Sequence, residues 1–312
     1  METKCAAFWH HTNIRNDNRV FPCCRFKEAV STFDGNIQPI LFSEAYDKLR
    51  EKSSNNIPIT GCEKCYYEES LGKESLRQKF NKEYDTETVS LEFLEIGFDN
   101  ICNLTCDGCW AEFSSAWSIK LNPDAPKNSH IRSIDDITDL PSTINKILFL
   151  GGEPLMTNRH KRLLNMVADP SGTEVVYNTN GTFMLTVDVI ELLRKFKSVE
   201  FIVSIDGFGK LNEQVRHGSD WGDIIEFLSQ LRQLNFKTTI HTVIHRNNWH
   251  GLKDLEGLVR HLGVDWTTNV LTYPKHLDIT TVEDRKACRD FIAELKIPNK
   301  EYILKHLDKE IA

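Results

Sequence analysis

Six short apolar segments, Leu91–Phe98, Ile144–Leu150, Glu174–Thr179, Val199–Ile205, Lys237–His245 and Val264–Leu271, have the character of strands. Helical stretches separate them, clearest in Val187–Lys197, Asp223–Leu234 and Leu252–Leu262. Strands that alternate with helices are joined by crossovers, and crossovers build a parallel sheet from βαβ units. The pattern predicts an α/β fold, a partial (β/α)6 TIM-like barrel, with an open doubly wound sheet as the other arrangement that periodicity allows. In both, chemistry collects at the carboxyl ends of the strands. The informative residues sit there. Cys102-Asn-Leu-Thr-Cys106-Asp-Gly-Cys109 follows the first strand, Gly151-Gly-Glu-Pro154 the second, Asn180-Gly181 the third and Asp206-Gly207 the fourth.

The 312 residues carry nine cysteines and a net charge of −7. That charge gives no broad basic footprint for nucleic acid or an anionic membrane. Met1-Glu-Thr-Lys-Cys5 lacks the apolar stretch of a signal peptide, and no run reaches the length of a membrane span, so the expected location is cytoplasmic. Clustered cysteines in a reducing compartment bind metal or do chemistry more often than they form disulfides. The spacing C-x3-C-x2-C draws three thiolates from one loop. A [4Fe–4S] cluster normally takes four, so one iron would stay open to a small molecule. Zinc, the competing reading, normally needs four ligands, and no fourth Cys or His lies nearby in sequence. Cys288 stands alone and reads as a small buried apolar residue.

Residues 1–80 are cysteine-rich, with short elements: a brief strand at Val20–Cys23, a helix over Ser43–Glu51 capped by Ser43, and a charged helix from Cys62 to Phe80. Such a segment buries little core alone, and a metal cross-link would help it fold. Asn122–Ser129 reads as a loop, and Asn299–Ile311 as a solvated helix or a cap. His241 and His245 fall on one face of a strand. They are ordinary satisfied histidines or substrate contacts.

The three-cysteine loop ending in Trp110, followed by GGEP after the next strand, resembles the radical S-adenosylmethionine (SAM) superfamily. Thr179-Asn-Gly181 and Ser204-Ile-Asp206 add to the resemblance, which covers roughly residues 90–270. It implies that Cys102, Cys106 and Cys109 hold a catalytic [4Fe–4S] cluster whose fourth iron SAM chelates through its amino and carboxylate groups. Reductive cleavage would release methionine and a 5′-deoxyadenosyl radical that abstracts a substrate hydrogen. By the same resemblance Trp110 belongs to the cofactor site, Gly151 and Gly152 allow close backbone approach, and Glu153 lies where the SAM amino group binds. Pro154 fixes the chain leaving that strand. Thr179 and Asn180 match a polar strand end near SAM, Ser204 and Asp206 match positions near its ribose or carboxylate, and Arg216 is a further candidate for the carboxylate. No glycine-rich motif marks an adenine site after the fifth strand.

The N-terminal region resembles the auxiliary-cluster modules called twitch or SPASM domains, here preceding the radical domain where they commonly follow it. Asn18-Arg-Val-Phe-Pro-Cys23 stands for their G-x4-C, and Asn tolerates the positive φ a glycine would supply. PCCRF, GCEKCYYEES and SLRQKFN look like a subgroup with the module at the N-terminus. Cys5, Cys23, Cys62 and Cys65 would then ligate a second, auxiliary [4Fe–4S] cluster, with structural zinc as the alternative because C-x2-C is also a zinc spacing. Adjacent cysteines do not easily share one site, so Cys23 is the expected ligand and Cys24 is free. The implied division is an auxiliary module over 1–85, a radical SAM core over 86–275 and a helical extension over 276–312. The implied partners are a reductant such as flavodoxin or ferredoxin and a peptide or small-molecule substrate. A noncatalytic iron–sulfur or zinc scaffold or electron carrier is the other class of function.

Overall fold

The computed structural model describes residues 2–124 and 137–309, so the loop expected at Asn122–Ser129 lies largely outside the described residues. In chain order the strands are β1 (His11–Ile14), β2 (Arg19–Phe21), β3 (Ser31–Thr32), β4 (Phe93–Gly97), β5 (Thr105–Cys106), β6 (Lys146–Leu150), β7 (Glu174–Thr179), β8 (Ser198–Ser204), β9 (Arg216–His217), β10 (Lys237–Ile244) and β11 (Asp265–Val270). All six strands expected from the apolar segments are present. Their pairings make an α/β fold with a mostly parallel sheet, consistent with the partial (β/α)6 barrel. Among the described residues no helix is long and apolar enough to cross a membrane.

Two compact units make up the chain. The first runs to Asn100 and adds a stretch ending at Tyr177 and Thr186–Val199. In it β4 pairs in parallel with β6, and β6 with β7. On its other side β4 takes β1 as a parallel neighbour, in the register His11↔Phe93 to Ile14↔Ile96. β2 and β3 follow β1 antiparallel. The N-terminal segment thus extends the sheet of β4 directly. β4 is buried along its whole length, as a parallel strand covered on both faces should be.

The second unit holds the chain from Ile101 through the cysteine loop, Asn178–Leu185, and the chain from Glu200. Here β10 pairs in parallel with β8 and β11. A separate antiparallel pair joins β5 to β9, setting Cys106 opposite Arg216. Along β8 fully buried residues alternate with partly exposed ones, the period of a strand with one covered face. Helix Leu252–Leu262 ends where expected because Gly263 adopts φ 66° and closes it with a left-handed cap.

Four expectations need correction. The helix expected over Cys62–Phe80 is two, Glu63–Ser70 and Leu76–Glu83. Gly72 takes φ 79° between them, and Ser75 with Gln78 forms a reciprocal capping box that starts the second. Ser43 precedes helix Glu44–Ser54 without capping it; its hydroxyl donates to the Ile40 carbonyl at 2.8 Å instead. The short strand near Val20 ends at Phe21, before the cysteine. The C-terminal helix, Lys300–Leu307, is not solvated: Tyr302, Ile303, Leu304 and Leu307 are buried.

His160 gives the first unit a pH-dependent element. It is buried, with Nδ1 2.7 Å from the Tyr177 hydroxyl, and burial pushes its pKa down to about 4. The unfolded chain takes up that proton near pH 6.5. Between about 4 and 6.5 the unfolded state therefore holds more protons, so stability rises with pH through this window and is lost as pH falls through it. The expected acid loss is about 3 kcal/mol. Denaturant titrations across this window should show it, and His160→Gln should flatten the slope.

Candidate functional site

The second unit carries the three-cysteine loop. Gly108, between Cys106 and Cys109, takes φ +75°, and a Cβ there would stand 2.8 Å from a Leu271 methyl. Only glycine makes that turn without strain. Helix Ser115–Leu121 ties the loop down. Ser114 caps the helix through the Trp117 N–H and donates its hydroxyl to the Leu104 carbonyl at 2.6 Å. The Cys102 N–H donates to Ser115 Oγ at 3.1 Å, and the Trp117 indole N–H donates to the Cys106 carbonyl at 3.1 Å. The backbone is thereby held by groups other than the thiols.

The three half-buried thiols feel one another. Burial pushes Cys106 up to about 11, against the pull of the Arg216 guanidinium. Burial and then the neighbouring Cys106 and Cys102 push Cys109 up to about 12. Thiols of this kind ionise when a metal displaces their protons. Arg216 donates from Nη1 to Asp206 Oδ2 at 2.8 Å, and its buried Nε has no partner. Asp206 is committed on both oxygens, because Oδ1 accepts the Val243 N–H at 2.8 Å. Asn180 sets Nδ2 3.9 Å from Cys102 Sγ and 2.9 Å from Asn103 Oδ1. Thr179 Oγ1 accepts the Gly181 N–H at 3.2 Å. Ser204 closes β8 opposite His241. Exposed Trp110 meets Tyr273 edge-on at 5.8 Å.

A cavity of ≈ 520 Å³ adjoins this loop, lined in part by Asp107, Cys109, Trp117, Arg246, Asn247 and His276. Asn247 fixes Asp107 with a 2.8 Å hydrogen bond. The sequence motifs did not point to these residues. Both histidines have partners: His241 Nδ1, on β10, lies 2.8 Å from Thr267 Oγ1, and His245 Nδ1, one residue past the end of β10, accepts the Asn247 N–H at 3.3 Å.

The first unit carries the GGEP turn after β6. Gly151 adopts φ +117°, and a Cβ there would lie 2.6 Å from the Asp99 carbonyl oxygen. The Gly152 N–H donates to that same oxygen at 3.0 Å. Glu153 is buried and accepts the Leu155 N–H at 3.1 Å, starting a short 3-10 turn whose first residue is Pro154.

The same unit gathers Cys5, Cys23, Cys62 and Cys65 around one small cavity walled by Phe8, Phe26, Phe80 and Leu76. Burial raises all four thiols, Cys62 to about 12. Among the described residues no group of three or more His, Cys, Asp or Glu side chains is arranged to hold a single metal ion. Asn18 has φ 69°, the conformation expected of a glycine substitute. Cys24 is exposed and does not line the cavity. Cys288 is buried in helix Arg285–Glu294.

The chain is 27% identical over 169 residues to the AdoMet-dependent heme synthase of Nitratidesulfovibrio vulgaris, covering 53% of this chain and 44% of that one. Among solved structures it is similar to anSMEcpe with bound AdoMet and the Kp18Cys peptide, at TM-score 0.47 and 14% identity, covering 64% and 58% of the two chains. It is also similar to Streptococcus suis SuiB bound to S-adenosylmethionine, at TM-score 0.45 and 15% identity, covering 91% and 66%. The chain thus spans less than two thirds of the heme synthase and of anSMEcpe. The family model of the Radical SAM superfamily matches residues 97–259. That span is just over half of the chain and runs from the end of β4 into helix Leu252–Leu262, so the chain belongs to the radical SAM superfamily.

Proposed function

We propose that the chain reductively cleaves SAM at a [4Fe–4S] cluster held by Cys102, Cys106 and Cys109, and abstracts a hydrogen atom from a peptide, protein or small-metabolite substrate. One observation carries the reading: three mutually interacting thiols on one loop adjoin a buried arginine whose Nε has no partner. The donor set fits the group, with three sulfurs for three irons and the fourth iron left to SAM. When bound, the cluster supplies the electron that splits SAM into methionine and the 5′-deoxyadenosyl radical. Arg216, oriented by Asp206, would take the SAM carboxylate through Nε. Asn180 would hold Cys102 in place, while Gly151 and Gly152 keep the turn after β6 free of side-chain bulk. The AdoMet dependence named for the heme synthase relative supports a SAM-dependent reaction.

The domain reading proposed is an auxiliary module over 1–85, the radical SAM core over 86–275 and a helical extension beyond. Cys5, Cys23, Cys62 and Cys65 would ligate the auxiliary cluster, and a reductant such as flavodoxin or ferredoxin would supply electrons. Protein reconstituted anaerobically should hold about eight irons, two cubanes' worth, and form 5′-deoxyadenosine with dithionite. Four irons plus one zinc would assign the N-terminal site to zinc. Full iron loading without SAM cleavage would make the protein an electron carrier.

A further inference from the structure

Asp99, in the first unit, grips the chain after β6 twice. Its carbonyl oxygen accepts the Gly152 N–H at 3.0 Å, and its carboxylate Oδ2 accepts Arg159 Nη1 at 2.5 Å. Gly152 and Arg159 bound a short segment of the chain that contains Glu153 and Pro154. Both ends of that segment are therefore fastened to one residue, and that residue follows directly on the end of β4. The ion pair is shielded from water: the Asp99 side chain is 6% exposed and that of Arg159 24%. Pairs shielded in this way are screened by salt much less than exposed ones. A hydrogen bond between charged partners is also roughly twice as strong as a neutral one.

The surroundings leave this segment little slack. The ends of β4 and β6 approach so closely that a Cβ on Gly97 would stand 3.3 Å from the Gly151 Cα. Downstream, Arg159 is the first residue of helix Arg159–Leu164, and that helix is anchored separately on β7 by His160, whose Nδ1 lies 2.7 Å from the Tyr177 hydroxyl. Arg159 thus ties a helix held on β7 back to the end of β4. Between the two grips the backbone runs through buried Glu153, which accepts the Leu155 N–H at 3.1 Å. How firmly the Glu153 carboxylate is placed depends on how the two ends of the segment are held.

We propose that Asp99 and Arg159 are positioning residues for SAM: their ion pair closes the 152–159 segment and so holds the Glu153 carboxylate ready for the SAM amino group. The inference rests on the reading that SAM binds at the GGEP turn through Glu153. Both residues act through Glu153 and need no contact with the ligand. A side chain that must be ordered on binding subtracts the cost of its ordering from the affinity, and one ordered beforehand does not. Fastening both ends of a segment restricts it in advance. Removing either charge would free the Arg159 end, while the Asp99 carbonyl, which is backbone, would still accept the Gly152 N–H.

The test places Asp99→Asn, Arg159→Ala and Arg159→Lys in the full chain. In metal-free protein, hydrogen exchange read by mass spectrometry should run at least tenfold faster over residues 152–158 in the first two variants, and Arg159→Lys should restore most of the protection. In anaerobically reconstituted protein with iron content unchanged, equilibrium dialysis should show labelled SAM bound at least tenfold more weakly by both. The double variant should lose no more than either single one, as a single shared interaction requires. The KM for SAM in 5′-deoxyadenosine formation should rise while kcat stays, the pattern of lost binding. Lys161→Ala, which breaks the neighbouring pair with Asp188, should change neither readout. Exchange that stays slow, or equal losses in Lys161→Ala, would overturn the proposal. SAM affinity that survives in Asp99→Asn and Arg159→Ala but is lost in Glu153→Gln would overturn it too and leave the SAM reading standing. Affinity unmoved by Glu153→Gln would overturn that reading, and the proposal with it.

Discussion

Replacing Cys102, Cys106 and Cys109 with alanine should bring 5′-deoxyadenosine formation down to the level seen without enzyme and lower bound iron from about eight to about four per chain. Each single replacement should do nearly the same to cleavage, because two thiolates from one loop cannot retain a cubane that already leaves one iron to SAM. The loop itself should persist. Its backbone is fixed by the β5–β9 pairing and by Ser114, Ser115 and Trp117, and none of these contacts uses a sulfur. Metal-free variant and metal-free parent should therefore unfold at similar temperatures. Liquid chromatography of the quenched reaction checks the first outcome and iron assay the second. Cleavage that survives the triple replacement would move the chemistry away from this loop.

Gly151→Ala should weaken SAM binding at least tenfold. The new Cβ would stand 2.6 Å from the Asp99 oxygen, at a φ of +117° that side-chain-bearing residues rarely adopt. Holding such a residue there costs on the order of 1–3 kcal/mol, and relief requires the turn to move. That movement would pull the Gly152 N–H off Asp99, so the strain reaches the whole GGEP turn. Equilibrium dialysis with labelled SAM measures the effect. Gly257→Ala is the control: it lies in helix Leu252–Leu262, its Cβ would meet nothing within 4 Å, and the exchange should stabilise by about 1 kcal/mol without altering binding. Equal loss in both variants would show that the turn is not part of the SAM site.

The strands were legible because each is a run of apolar and β-branched residues between turn signals, and the expected and observed limits differ by no more than two residues. Polar elements were less visible. β1 is His-Thr-Asn-Ile, which has no apolar alternation, yet all four residues are buried. Its neighbours meet part of that polar need: Asn13 donates to Glu95 at 2.8 Å and His11 Nδ1 lies 2.7 Å from the Pro22 carbonyl, while His11 Nε2 and Asn13 Oδ1 have no hydrogen-bond partner. The break between Cys62 and Phe80 was written in Gly72 and in Ser75 with Gln78, but the surrounding charged residues read equally well as one solvated helix. Buried Tyr302, Ile303, Leu304 and Leu307 give the C-terminal helix an apolar stripe that its lysines obscure. The three-cysteine loop was legible from its spacing, and the N-terminal four from a resemblance. The Arg25–Glu68 pair beside the N-terminal cavity was not, since only folding brings an arginine two residues past one cysteine onto a glutamate three residues past another.

The parallel register of β1 on β4 places partners 82 residues apart in the chain, as in the Asn13–Glu95 bond. During synthesis β1 leaves the ribosome long before the strand that will hold it, with its polar backbone edge open. The segments bearing Cys5, Cys23, Cys62 and Cys65 are all complete before β4 begins. Metal capture by those four residues would close a nascent loop early and hold β1 near the point where β4 emerges. Iron supply would then govern how many chains mature, as well as how active the mature ones are. Under iron limitation the first sign should be chains lost to aggregation at an unpaired edge.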